Sequence, residues 1–182
     1  MSTKTPLTPL SPASQVKGVG PALVTGLAQL GLHTLQDLWL HLPMRYEDRT
    51  RVIPLRTALH GQTGVFIAQV DEVREKLGPK KMLTVGCSSS DGAALTVRFF
   101  HYLDAQKIQF QVGTWLRLFG EVRGGMGVWD MMHPEYRVFP SAQAAATVEE
   151  ALTPVYPASA QVPQGKLRRV IAAALTFLDA PG

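Results

Sequence analysis

Two stretches carry residue types suited to a polyanion. The first is Lys17-Gly18-Val19-Gly20-Pro21, which precedes a helical pattern. Glycines there let the backbone approach a phosphate, helix N-terminal amides face it with the favourable end of the dipole, and Lys17 adds a screened charge. The same glycines also suit a tight hairpin with close helix packing, and both uses stay open. The second stretch is Arg98-Phe99-Phe100-His101-Tyr102. If Leu95, Val97 and Phe99 point into a barrel, alternation leaves Phe100 facing out and Tyr102 just past the strand end. An outward aromatic at such a junction can stack on a base, worth about 1–3 kcal/mol by truncation. Packing beneath the following helix is the competing use. Lys76, Lys80 and Lys81 flank a turn and could grip phosphates, as could Arg117 and Arg123. Lysines on edge strands also serve to block edge pairing.

No set of residues suits catalysis. The only Gly-Lys is Gly165-Lys166, and Leu167 follows where a phosphate-binding loop needs Ser or Thr. No Ser/His/Asp set and no paired carboxylates emerge. His133-Pro134-Glu135 lacks a second His or Cys at ligand spacing and reads as a strand terminus. Cys87, the single cysteine, reads as a small buried hydrophobe. One cysteine excludes a disulfide framework and suits a reducing, cytoplasmic setting.

The elements that must position these residues follow from periodicity. Leu23, Leu27 and Leu30 share one helical face, and Leu35, Leu38 and Leu42 share another. Gly31 ends the first helix, Thr34 caps the second and Pro43 closes it. Pro43 to Leu59 is a connector with four arginines, Arg45, Arg49, Arg51 and Arg56. The period then changes to two. Strands are expected from Val65 to about Glu75, Lys81 to Cys87, Ala94 to Phe100, Trp115 to Val122 and Val128 to Met132, with a helical stretch from His101 to Phe110. Five strands with a short helix between the third and fourth is the order of an OB-fold barrel. Ser141 to Ala151 reads as a small-residue linker, Thr153 to Pro157 as extended, and Gly165 to Leu178 as a helix.

The fold expected is α+β: a small helix-hairpin-helix-like N-terminal subdomain, a five-stranded OB-fold barrel and a C-terminal helix. The partition is a flexible tail over 1–14, hairpin and basic connector over 15–60, barrel over 61–140, and linker with helix over 141–182. A length of 182 residues, 46% of them hydrophobic and 18% charged, suits a globular chain and leaves no room for a large motor domain. No apolar run approaches the roughly 18–20 residues of a membrane helix. The N-terminus has no apolar signal region, so a cytoplasmic protein without a membrane partner is expected. The net charge of +4 permits a nucleic-acid partner without demanding one. Its excess is mostly N-terminal, with six Lys/Arg against three Asp/Glu in residues 1–60.

Five blocks together resemble one family. They are Lys17-Gly18-Val19-Gly20-Pro21, the segment His41-Leu42-Pro43-Met44-Arg45-Tyr46-Glu47-Asp48-Arg49-Thr50, Arg98-Phe99-Phe100, His133-Pro134-Glu135-Tyr136 and Leu152-Thr153-Pro154-Val155-Tyr156-Pro157. In this order, around an OB pattern, they look like the N-terminal region of the bacterial DNA helicase RecG, from about residue 15 onward. The resemblance implies the wedge of an ATP-dependent helicase that remodels stalled forks and Holliday junctions during repair and recombination. There the wedge splits the arms at the branch point, and an aromatic stacks on the junction base pair. Phe100 matches that aromatic. Some members carry a second aromatic four residues on, where this chain has Asp104; Tyr102 is the aromatic at hand for that role. The implied partners are branched DNA and a single-stranded-DNA-binding protein, with the chain a monomer. ATP and magnesium belong to the motor domains, whose motifs are not in these residues, so no cofactor is expected here and the chain reads as an N-terminal part. Two rival classes stay open: a stand-alone OB single-strand binder or tRNA-binding appendage, and a protein-interaction module.

Overall fold

The computed structural model describes residues 7–76, 78, 81–148 and 150–178. In chain order its elements are helices Pro21–Gln29 (α1) and Leu35–Leu40 (α2), strands Arg45–Glu47 (β1), Thr63–Lys76 (β2), Met82–Ser88 (β3) and Ala94–Phe100 (β4), helix Asp104–Gln109 (α3), strands Trp115–Gly125 (β5), Val128–Met132 (β6) and Glu135–Phe139 (β7), helix Ala142–Ala146 (α4), strand Thr153–Val155 (β8) and helix Gln164–Leu175 (α5). No helix among the described residues is long and apolar enough to cross a membrane. The chain divides into two compact units, one from residues through Glu47 together with those from Thr153, the other from Asp48–Leu152.

The first unit is built on the leucine stripes. Pro21 opens α1, where its missing N–H costs nothing, and Gly31 follows the helix at φ +76°. Thr34 starts α2 with a capping box: its hydroxyl accepts from the Asp37 N–H at 3.2 Å, and the Asp37 carboxylate accepts from the N–H groups of Thr34 at 2.8 Å and His33 at 2.9 Å. Those backbone bonds, the Thr34 one first, hold the Asp37 carboxyl below its usual range. Leu27, Leu35 and Leu38 are buried in one core with Leu167, Val170 and Ile171 of α5. Leu42, expected on the second stripe, is 72% exposed, because α2 ends at Leu40. The connector turns extended at β1, which pairs antiparallel with β8. Of the expected tail, residues 1–6 lie outside the described residues. Beyond them Pro12 bridges Thr34, and Ala13 is buried.

The second unit is the barrel. Strand neighbours run β2-β3-β4-β6-β5, and β5 closes on β2. β4 and β6 pair in parallel and every other pair is antiparallel, with α3 between the third and fourth barrel strands. One strand can serve two neighbours because β2 carries a bulge between Val70 and Glu72, where it passes from β5 to β3. Phe66, Leu83, Val85, Leu95, Val97, Phe99, Leu116, Leu118 and Met131 fill the interior. Cys87 is buried among them, and burial pushes its thiol up to about 12, so it stays protonated. At the β5–β6 turn Gly124 has φ +133°, and a Cβ there would collide with the Val128 carbonyl oxygen.

His133-Pro134-Glu135 does mark a strand terminus, the end of β6, and it leads on into β7, a further strand that pairs with β5 outside the closed barrel. One expectation is corrected. The small-residue linker holds α4, whose Ser141 hydroxyl accepts from the Ala144 N–H at 3.2 Å as its cap.

Candidate nucleic-acid interface

Strand register defines the outer face of β2, β3, β4 and β6. Residues directly opposite one another in a sheet point to the same side. Lys76 faces Met82, and Met82 faces Phe100. The next outward row is Arg74, Thr84, Arg98 and Met132, and the row after it Glu72, Gly86, Thr96 and Asp130. The face is therefore graded, with cations and apolar groups at the Phe100 end and carboxylates two rows away. Arg98 pairs with Asp130 at 2.8 Å and Arg74 with Glu72 at 2.7 Å, all four side chains at least a third exposed. Exposed pairs of this kind are worth about 0–1 kcal/mol, so a phosphate can compete for either guanidinium.

Phe100 ends β4 and is partly exposed, while Phe99 turns inward onto Phe110 and Tyr136. The Phe100 N–H donates to His133 Nε2 at 3.1 Å, and the two rings lie 5.5 Å apart. His133 reaches this place from a left-handed turn, φ +46°, with its own N–H bonded to the Arg98 carbonyl. His101, the residue after Phe100, is also left-handed at φ +55° and turns the chain toward Leu103, which is 74% exposed. Tyr102 is half-buried against the barrel core, and its hydroxyl donates to the Glu75 carboxylate, which also accepts from the Lys107 ammonium. The bonds from Lys107 and then Tyr102 hold Glu75 below the usual carboxylate range. Burial, then Glu75, pushes the Tyr102 phenol up to about 12. This network ties the 101–107 segment to the end of β2.

The other expected contacts fall in several places. Lys81 is exposed just before β3; Lys80 lies outside the described residues. Arg123 is exposed on β5 and paired with Glu121 at 2.8 Å. Arg117 donates to the carbonyls of Ala145 at 2.7 Å and Ala144 at 3.2 Å and lies 4.6 Å from the Phe139 ring centroid, so it caps α4. Lys17, Gly18 and Gly20 belong to the helical unit, where Gly18 adopts φ +93°. Sequence reasoning missed Arg74, Met82, Met132 and His133. The first two were reachable by extending the alternation of β2 and β3 across the hairpin; His133 was not, since a loop residue's partner shows only in three dimensions.

Strand order, helix position and an outward face mixing an aromatic with cations define an OB-type barrel suited to nucleic acid. The RecG wedge domain family model matches residues 12–178, and the chain belongs to that family. It is 41% identical over 169 residues to the ATP-dependent DNA helicase RecG of Escherichia coli K12, covering 92% of this chain and 24% of the relative. To the Acidithiobacillus ferridurans enzyme of the same name it is 39% identical, covering 93% and 24%. The chain thus spans about a quarter of the length of these relatives. A solved structure described as RecG bound to a three-way DNA junction aligns with a TM-score of 0.72 at 22% identity, covering 94% of this chain and 23% of that one, which establishes the shared fold.

Proposed function

We propose that the chain is the branched-DNA-binding wedge of a RecG-like helicase, holding forks and Holliday junctions and parting their arms at the branch point. The observation that carries this reading is the outward row of Lys76, Met82 and Phe100 beside Arg74 and Arg98. A wedge need not read sequence; it needs cations for phosphates and an apolar cap for an unstacked base pair. Phe100, backed by His133, supplies the cap, and Leu103 and Met132 extend the apolar edge. Arg98, Arg74, Lys76 and Lys81 supply the charge, with Arg123 on β5; Lys80 joins them on sequence grounds alone. The OB-fold commonly binds oligonucleotides on this strand face. Family membership, and the junction named for the structural relative, support the choice of branched DNA.

Helicase activity, forks as substrate and a single-stranded-DNA-binding protein as partner belong to the whole protein and extend the proposal, as do a cytoplasmic setting and a monomeric chain. ATP and magnesium would serve a motor. The residues present here do not fit them: Leu167 follows the only Gly-Lys, and among the described residues no group of three His, Cys, Asp or Glu could hold a metal.

Fluorescence anisotropy on fork, duplex and single-stranded oligonucleotides tests the reading. The fork should bind best, and Phe100→Ala should weaken fork binding about tenfold, the loss of one stacked base. Arg98→Ala and Lys81→Ala should each make the salt dependence shallower by about 1. Equal affinity for all three DNAs, unaffected by Phe100→Ala, would remove the wedge role.

A further inference from the structure

The glycine loop does not stand alone in its unit. It forms one wall of a cleft of about 590 Å³. Lys17, Gly18 and Gly20 line one side; Lys166 and Arg169 of α5 line the other, with Val170 and Leu23 as an apolar floor. Lys166 and Arg169 are three apart on α5, so they share a face. The opposite face of α5 is buried through Leu167 and Ile171. Two segments some 150 residues apart in sequence thus bring three exposed cations to one opening. Among the described residues no carboxylate lines the cleft to neutralise them. The same opening contains the start of α1, which no side chain caps.

We propose that this cleft is a second DNA site, one that takes phosphodiester groups of duplex DNA without regard to sequence or branching. The inference rests on the reading that the chain binds DNA, and adds Lys166 and Arg169 to the residues that do so. The chemistry of the lining selects the ligand. Among the described residues the lining has no aromatic to stack a base and no carboxylate for a ribose hydroxyl or a metal, so it offers a nucleoside no handle. It offers separated cations and a backbone that can come close, because a Cβ at Gly20 would meet nothing within 4 Å. Such contacts set affinity and salt dependence and leave specificity to the barrel face.

The test uses the 182-residue chain and two DNAs, an unbranched duplex and a fork, titrated between about 50 and 200 mM salt. In the triple variant K17Q/K166Q/R169Q the log–log salt slope for the duplex should become shallower by about 2 to 3, close to 0.9 for each cation lost. Duplex and fork should weaken by the same factor, whereas F100A weakens only the fork. The charge-conserving variant K17R/K166R/R169K should restore the slope, which separates charge from any damage to folding. A triple variant with unchanged duplex slope, in a chain whose fork binding still responds to F100A, overturns the cleft and leaves the wedge reading standing. A loss confined to the fork also overturns it. Competition by inorganic phosphate at fixed ionic strength, with no change in duplex affinity in the triple variant, would mark a free-anion site and overturn it too. No binding of either DNA by the unaltered chain defeats both readings.

Discussion

Arg49 shows how position decides what an arginine does. It lies in a run with Arg45, Arg51 and Arg56 that has the composition of a basic tract. Yet its side chain is only 10% exposed, and its two Nη groups each donate to a Glu135 oxygen at 2.8 Å in a bidentate pair. The guanidinium also lies 3.7 Å from the Phe119 ring centroid. It is thus a clasp within the barrel unit, joining the irregular segment ahead of β2 to β7. Removing one partner of a fully buried pair costs about 3–5 kcal/mol. Glu135 is half-exposed, so Arg49→Ala should cost about 2 kcal/mol, measured by urea unfolding. Arg49→Lys should recover only part of this, since an ammonium cannot make the fork. Fork affinity of the folded variant should be unchanged, and a drop would move Arg49 into the binding surface. The sequence could not tell Arg49 from its neighbours, because the partner that distinguishes it is 86 residues away. Phe100 was legible because its orientation follows from strict alternation with Phe99.

Among the elements, those that alternate strictly or carry their own stop signals were readable. β4 and β6 lie where period-two patterning put them, and α2 begins at the Thr34 cap. β7 and α4 were not readable. β7 is five residues long and exists by pairing with half of β5, and α4 is five residues held by the Arg117 bonds to its last carbonyls. So short a helix is marginal without tertiary contacts. The 101–107 segment is held in a comparable way by Tyr102, Lys107 and Glu75, and its pH response follows. The Glu75 carboxyl is held low, so the fold favours its charged form. That stabilisation is complete above the ordinary carboxylate range and is lost as pH falls through the lowered value. Tyr102 acts at the other end: its contribution is complete below about 10 and is lost as pH rises toward about 12. Chemical unfolding followed from pH 7 down to about 3 should therefore show an acid-side loss that Glu75→Gln reduces. Acid sensitivity identical in the two proteins would mean that other carboxylates carry it. Glu75→Gln should also weaken fork binding at neutral pH, where the loosened segment no longer presents Leu103 beside Phe100.

At the scale of the whole molecule, the helical unit is assembled from both ends of the chain, with the barrel inserted between them in sequence. Periodicity supplied the separate helices but not the fact that α2 and α5 share a core, since nothing local to either one names its partner. The dependence is strong. Leu27, Leu35 and Leu38 are wholly buried, in one cluster with Tyr156, Val162, Leu167, Val170 and Ile171. Trp39 donates its indole N–H to the Ala174 carbonyl at 2.8 Å. Each such leucine is worth about 1.5–3 kcal/mol when buried, and α1 and α2, at nine and six residues, are too short to persist alone. Ending the chain at Leu152 should therefore melt residues 13–47 while the barrel, whose ladder closes within Thr63–Phe139, keeps its structure. Amide NMR spectra check this directly: dispersed signals should remain for the strands and collapse for the hairpin. The shortened chain should keep the Phe100-dependent preference for forks, and its duplex salt slope should become as shallow as that of K17Q/K166Q/R169Q, because the cleft has lost Lys166 and Arg169 together with the fold that held Lys17. Hairpin signals that stay dispersed after the cut would show that the leucine stripes find another cover, and the shared core would then not be what holds the glycine loop in place.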